Sequence, residues 1–200
     1  MPNTSSLPPA GAEHAALGLT ISDLRAAAPL LGAMFIAFAA QISVPIPPDW
    51  VPFTFGDLAV IVTALGLGPR RGMLALVIYI LAGLIGAPIF AQGGKGPAHF
   101  LGQTGGYILG YLLCQPVVGR IVRRADGTYR GWLGLVLAVL ASQAIIFGVG
   151  VPWFGIVNGY GLHRTLEGGL YPFAAFIPVK AAIAVILGRI AVPWAMKRVW

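Results

Sequence analysis

Two hundred residues leave room for one domain, and 58% of them are apolar while only 10% are charged. A water-soluble domain carries about 25% charged residues, so a chain of mean hydropathy +0.84 is not an ordinary soluble enzyme. The 28 glycines and 16 prolines suit a low-complexity chain, but the aliphatic runs between them are too apolar to stay solvated, which leaves a polytopic membrane protein. The single cysteine, Cys114, excludes a disulfide framework.

Residues 1–22 contain Pro8, Pro9, Gly11, Glu13 and His14, with no basic run ahead of an apolar stretch. They read as a cytoplasmic tail and not as a signal peptide; residues 23–200 form the membrane domain. Crossing about 30 Å of hydrocarbon takes about 20 helical residues. Leu24–Val44, Gly102–Val122, Trp132–Val151 and Pro172–Val192 meet that requirement. Between the first two, Gly68-Pro69-Arg70-Arg71-Gly72 interrupts an apolar stretch with two charges that are costly at the bilayer centre. This predicts a loop between two shorter helices, Trp50–Leu67 and Gly72–Ala87. The expected fold is therefore an all-α integral membrane protein with six transmembrane helices.

The basic residues test that division, because short cytoplasmic loops hold the excess of Lys and Arg. With both termini inside, Arg25, Arg70, Arg71, Arg120, Arg123, Arg124, Arg130, Arg189, Lys197 and Arg198 fall on the cytoplasmic side. Only Lys95 and Arg164 fall outside, and Lys180 lies within the last span. The net charge of +7 is thus an orientation signal and not a mark of nucleic-acid binding. The external connections, Pro45–Pro52, Pro88–Leu101 and Pro152–Tyr171, are rich in Pro, Gly, Trp and Phe. They suit either interfacial anchors or a lid over an outward-facing cavity.

Few polar groups are available for chemistry in the bilayer. Lys180 lies nine residues beyond Tyr171, about 14 Å along a continuous helix, so its ammonium must point into the bundle and meet a carboxylate or a ligand anion. Asp57, near the outer end of the second span, either pairs with Lys180, accepts hydrogen bonds from a ligand, or caps its helix with Thr54. Gly102, Gly106 and Gly110 share one helix face, where a neighbouring backbone can approach closely or a ligand can find room and N-terminal amides. Gln92-Gly93-Gly94-Lys95-Gly96-Pro97 lacks the Ser or Thr that a phosphate loop needs after its Lys; a hinged lid or a disordered loop fits it better. His14, His99 and His163 share no metal-ligand spacing, and no nucleophile set lies within the membrane. Catalysis is not expected, nor any cofactor. The candidate substrate-binding set is Lys180, Asp57, Gln92, Lys95, Gln103, Tyr107, Trp153 and Asn158. Ala33 and Ala37 form a small-residue pair for helix packing, within the chain or with a partner.

Several segments together resemble the BioY family, the biotin-specific substrate-capture (S) components of energy-coupling-factor (ECF) transporters. They are Ile42-Ser43-Val44-Pro45 with Val51-Pro52-Phe53-Thr54, Gly68-Pro69-Arg70-Arg71-Gly72, Gly86-Ala87-Pro88-Ile89-Phe90-Ala91, Gly102-Gln103-Thr104-Gly105-Gly106-Tyr107, and Tyr171-Pro172-Phe173 ahead of Lys180. The resemblance implies a six-helix S-component fold that binds its vitamin from outside. It also implies work with a transmembrane coupling subunit and two cytoplasmic ATPases. By the same likeness, Ala33 and Ala37 match the pair that docks the coupling subunit, Lys180 matches the ligand-site lysine, and Phe90–Leu101 matches the loop that closes over the vitamin. The chain departs from the family pattern at Gly56-Asp57, where Gln-Thr is usual, at Ile177, where an acid is usual, and at Gln103, where Pro is usual. Asp57 is the expected substitute acceptor for the ureido group. The alternative ligand is a different carboxylated vitamin or precursor lacking the ureido ring.

Overall fold

The computed structural model describes residues 21–48 and 50–200, so the tail predicted over residues 1–22 lies almost wholly outside the described residues. In chain order the elements are α1 (Ile21–Gln41), a short antiparallel pair β1 (Ser43–Val44) and β2 (Phe53–Thr54), α2 (Gly56–Leu84), and a 3-10 turn (Ala91–Gly93). They continue with α3 (Gly96–Leu101), α4 (Gly105–Val122), α5 (Gly131–Asn158), α6 (Leu162–Gly169), α7 (Tyr171–Ala174) and α8 (Ile177–Arg198). In the hairpin Ser43 faces Thr54 and Val44 faces Phe53. Among the described residues five helices, α1, α2, α4, α5 and α8, are long and apolar enough to cross a membrane.

One of the five is two. Gly68 sits at φ 74° inside α2, a conformation open to glycine, and Pro69 restarts the helix at once because a first-turn residue has no use for its missing N–H. The arms 56–67 and 69–84 fold back on each other, since a Cβ added at Gly72 would lie 3.5 Å from the Cα of Ala64. Six membrane segments result. The expected loop is compressed to a single residue, which places Arg70 and Arg71 in the first turn of the second arm. The first arm has 12 residues and rises about 18 Å. It falls short of the hydrocarbon thickness, and residues 50–55 complete the path as extended chain.

Apolar side chains point both ways, as lipid requires. Leu31, Phe38, Leu81, Leu133 and Ile190 face outward. Inside, one core cluster around Ile36, Val60, Tyr79, Phe90, Ile146 and Phe154 underlies the end that carries the hairpin. A second, around Ile61, Leu65, Val118, Leu135 and Val192, fills the basic end. Without a hydrophobic drive between helices in lipid, close backbone approach supplies the packing energy. At Gly110 an added Cβ would stand 2.8 Å from the Cα of Ile146, so the glycine face of α4 serves contact with α5. Gly102 lies ahead of α4, and its Cβ position faces the carbonyls of Ala98 and His99 rather than the backbone of α5.

Several boundaries differ from expectation: α1 ends at Gln41, so Ser43 and Val44 belong to the hairpin and not to the first span, and the helix of the second span begins at Gly56 and not at Trp50. Helix α5 runs on to Asn158, so Trp153 and Asn158 lie on the helix and not in an external connection. Helix α4 begins at Gly105, which leaves Gln103 in the turn before it. The last span is interrupted after Ala174, because Pro172 and Pro178 each begin a new helix.

Gly110→Ala is expected to lower stability by about 1 to 3 kcal/mol, because the facing backbone cannot move aside. Gly66→Ala, with open space at its Cβ position, should leave stability unchanged or raise it by up to about 1 kcal/mol. Thermal unfolding of the two variants in detergent checks the contrast.

Candidate functional site

The first arm of α2 and helix α8 both begin late, and their N-terminal turns meet inside the bundle. Asp57 is in the first turn of one and Lys180 in the first turn of the other. Lys180 is therefore not 14 Å along a continuous helix. It stands one turn below the break between α7 and α8, yet only 4% of it is exposed. Its Nζ donates to Asp57 Oδ1 at 2.7 Å and to the carbonyl of Thr54 at 2.6 Å. The ammonium also lies 3.9 Å from the centroid of the Phe53 ring, whose negative face attracts a cation. A cation at a helix N-terminus is opposed by the helix dipole, so these three partners hold it where the helix alone would not. Asp57 makes no side-chain cap; Thr54 Oγ1 takes the Gly56 N–H instead.

This pair forms one wall of a chamber of about 50 Å³ at the end of the bundle opposite the basic loops. The remaining walls are largely aromatic and include Tyr79, Tyr107, Tyr111, Phe147 and Phe173. The Tyr107 hydroxyl donates to the carbonyl of Gly169 at 2.6 Å, which ties α4 to the α6–α7 junction. His99 and Thr104 line the chamber as well, with Thr104 Oγ1 3.3 Å from His99 Nε2. Burial holds the His99 imidazole below its ordinary pKa, which favours the neutral ring.

The loop over the chamber is packed in place. Phe90 is fully buried, stacks 5.4 Å from His99 and meets Tyr79 edge-on at 5.5 Å. At the end of α1, Gln41 Nε2 donates to the carbonyls of Ile89 and Phe90 at 3.0 and 3.1 Å, and Gln41 Oε1 accepts from the Gly93 N–H at 3.1 Å. The loop thus has an anchoring ring on its inner side and a clamp from a neighbouring helix. Gln92, at φ 58°, shares the left-handed conformation with Gly93 at φ 70°.

Of the eight candidate substrate-binding residues, the structure brings Lys180, Asp57 and Tyr107 to the chamber. Gln92 and Lys95 are exposed on the loop's outer side, and Gln103 lies outside the lining. Trp153 spends its Nε1 donor on the carbonyl of Gly102 at 2.9 Å, and Asn158 donates back to the carbonyl of Phe154 at 2.8 Å. Both therefore act as helix fastenings. Ala33 is turned inward at 5% exposure, while Ala37 is half-buried. The outward stripe of α1 is Leu30, Leu31, Met34, Phe35 and Phe38. Sequence reading missed Thr54, Tyr79, His99, Thr104 and Tyr111. Their one available signal was polar or aromatic character near the outer ends of spans. Among the described residues no group of His, Cys, Asp and Glu is placed to hold a metal ion.

A model of the BioY family matches residues 13–198. The chain is 36% identical over 162 residues to a probable biotin transporter BioY of Pyrococcus horikoshii, covering 80% of this chain and 92% of that relative. It is 31% identical over 154 residues to the biotin transporter BioY of Thermotoga maritima, covering 76% and 86%. Among solved structures, the S-component for biotin from an ECF-type ABC transporter matches with a TM-score of 0.75 at 24% identity, covering 82% of this chain and 88% of that one. The fold is shared.

The ion pair gives a stability test that needs no ligand. Lys180→Met or Asp57→Leu alone leaves one buried charge uncompensated and should cost about 3 to 5 kcal/mol. The double variant removes both charges and should cost clearly less than the two single losses together. Unfolding of the four proteins in detergent measures that coupling.

Proposed function

The chain belongs to the BioY family, and from that membership and the chamber's geometry we propose that it captures biotin for uptake as the S component of an ECF-type transporter. The observation that carries the ligand assignment is the contact of Lys180 with Asp57 at 2.7 Å within the chamber wall. Donor and acceptor so close address one end of a ligand and not two. Biotin's ureido group offers N–H donors beside a carbonyl acceptor, so Asp57 accepts from the ring N–H while Lys180 donates to its oxygen. In this reading the carboxyl tail points toward His99 and Thr104. That revises the expectation that Lys180 meets the ligand's carboxylate, and it gives Asp57 the acceptor role left open by Ile177.

A chamber of about 50 Å³ holds a few waters, so a bicyclic vitamin enters only as the walls part. The loop carrying Phe90 and His99 is the wall built to move, since its inner contacts are rings and its clamp is a single side chain. Gln92, Lys95, Gln103, Trp153 and Asn158 then contribute through the loop and its supports, whereas Lys180, Asp57 and Tyr107 touch the ligand.

The membrane domain spans residues 23–200, with residues 1–22 as a cytoplasmic tail. Both termini face the cytoplasm of a bacterial cell, because the basic end of the bundle is the inner one. The transmembrane coupling subunit, which carries the two ATPases, meets the outward stripe of α1, with Ala37 at its edge and Ala33 supporting it from within.

Lys180→Ala is expected to abolish biotin binding, and Asp57→Asn to weaken it by the about 1 to 3 kcal/mol of an unsatisfied buried hydrogen bond. Titration of purified protein with labelled biotin reads both, with gel filtration confirming folded material. An unchanged dissociation constant in Asp57→Asn removes the ureido assignment. A ligand panel including a carboxylate without the ureido ring separates the alternative.

A further inference from the structure

At the basic end a larger opening, of about 650 Å³, lies between the break in α2 and the end of α4. Four arginines line it, Arg70, Arg71, Arg120 and Arg123, together with Leu74 and Trp200. Among the described residues no aspartate or glutamate side chain lines it. The hydrogen bonds that Arg71 and Arg123 make there go to backbone carbonyls, of Val199 and Gly127, which hold the groups in place without cancelling their charge. Trp200 is fixed as well: its Nε1 donates to the carbonyl of Gly66 at 3.2 Å, and its ring covers Gly68. On its other side a second cleft, of about 250 Å³, is lined by Arg123, Tyr129 and Lys197. The Tyr129 hydroxyl is buried without a partner.

Arginines that served orientation alone would need only to lie on one side of the membrane. These four line one opening, and its edge is apolar, with Leu74 half exposed on the outward face of the bundle. Guanidiniums match the oxygens of a phosphate in paired hydrogen bonds. An adjoining leucine wall matches an acyl chain. Basic pockets between membrane helices on the cytoplasmic side take such headgroups. We propose that the arginine cavity at the basic end binds the headgroup of an anionic phospholipid, with its chains along Leu67 and Leu74. A free phosphate would satisfy the guanidiniums but gain nothing from the leucines, which favours the lipid source. The assignment holds whichever ligand the outer chamber takes.

The full chain purified in detergent is titrated separately with phosphatidylglycerol, phosphatidylcholine and inorganic phosphate, and followed by native mass spectrometry and thermal unfolding. Phosphatidylglycerol is expected to be retained and to raise the unfolding temperature, and the other two are not. The double variant Arg70→Gln, Arg120→Gln should retain at least tenfold less phosphatidylglycerol with biotin affinity unchanged. Lys95→Gln, which removes an exposed cation at the opposite end, should retain the wild-type amount. Equal retention of the two lipids, equal retention by wild type and the double variant, or stabilisation by phosphate matching that by phosphatidylglycerol would each overturn the proposal.

Discussion

A buried ammonium is the constraint around which the outer half of this protein is arranged. Lys180 sits where lipid surrounds the bundle and where the dipole of its own helix repels it. Asp57, the Thr54 carbonyl and the Phe53 ring answer that cost together. To supply them, two helices must begin deep in the membrane rather than at its surface. The short first arm of α2 and the interruption before α8 are the structural expression of that need. The extended residues 50–55 bring Thr54 and Phe53 to the ammonium, and the hairpin formed by β1 and β2 fixes them there. The chamber is the space these late-starting helices leave above the pair.

A paired charge of this kind contributes little net stability against an apolar replacement of the same shape. Its value lies in presenting a donor and an acceptor side by side in a dry, aromatic enclosure, where both are felt strongly. The aromatic walls supply shape and apolar contact, and the pair supplies polarity at one point. A chamber built this way suits a compact group carrying both a donor and an acceptor, which is the character of the cyclic urea proposed for it.

The six-segment architecture was legible because its signals are large. Long apolar runs mark the spans, and Gly68-Pro69-Arg70-Arg71 cannot stay helical at the bilayer centre. The positions of Asp57 and Lys180 were legible for the same reason, since charge in lipid always needs an explanation. The depth of Lys180 was not, because Tyr171–Pro178 has the composition of a span and hides its interruption in two prolines that each also suit a helix start. The chamber's aromatic lining was hidden too. Tyr107 and Phe173 near an outer helix end have the same character as interfacial anchors such as Trp153, and only packing tells them apart. Ala33 shows the converse problem, for a small residue serves an internal helix contact or an external one equally well.

The clamp made by Gln41 ties two parts of the molecule that are otherwise separate. One side chain at the end of α1 holds the carbonyls of Ile89 and Phe90 and the amide of Gly93, while the outward stripe of that same helix is open to whatever lies beside it in the membrane. Tilting α1 strains those three bonds, and freeing the loop leaves the end of α1 held by the hairpin that follows it. A displacement of the loop over the chamber or of the helix at the protein's flank therefore falls on the same glutamine.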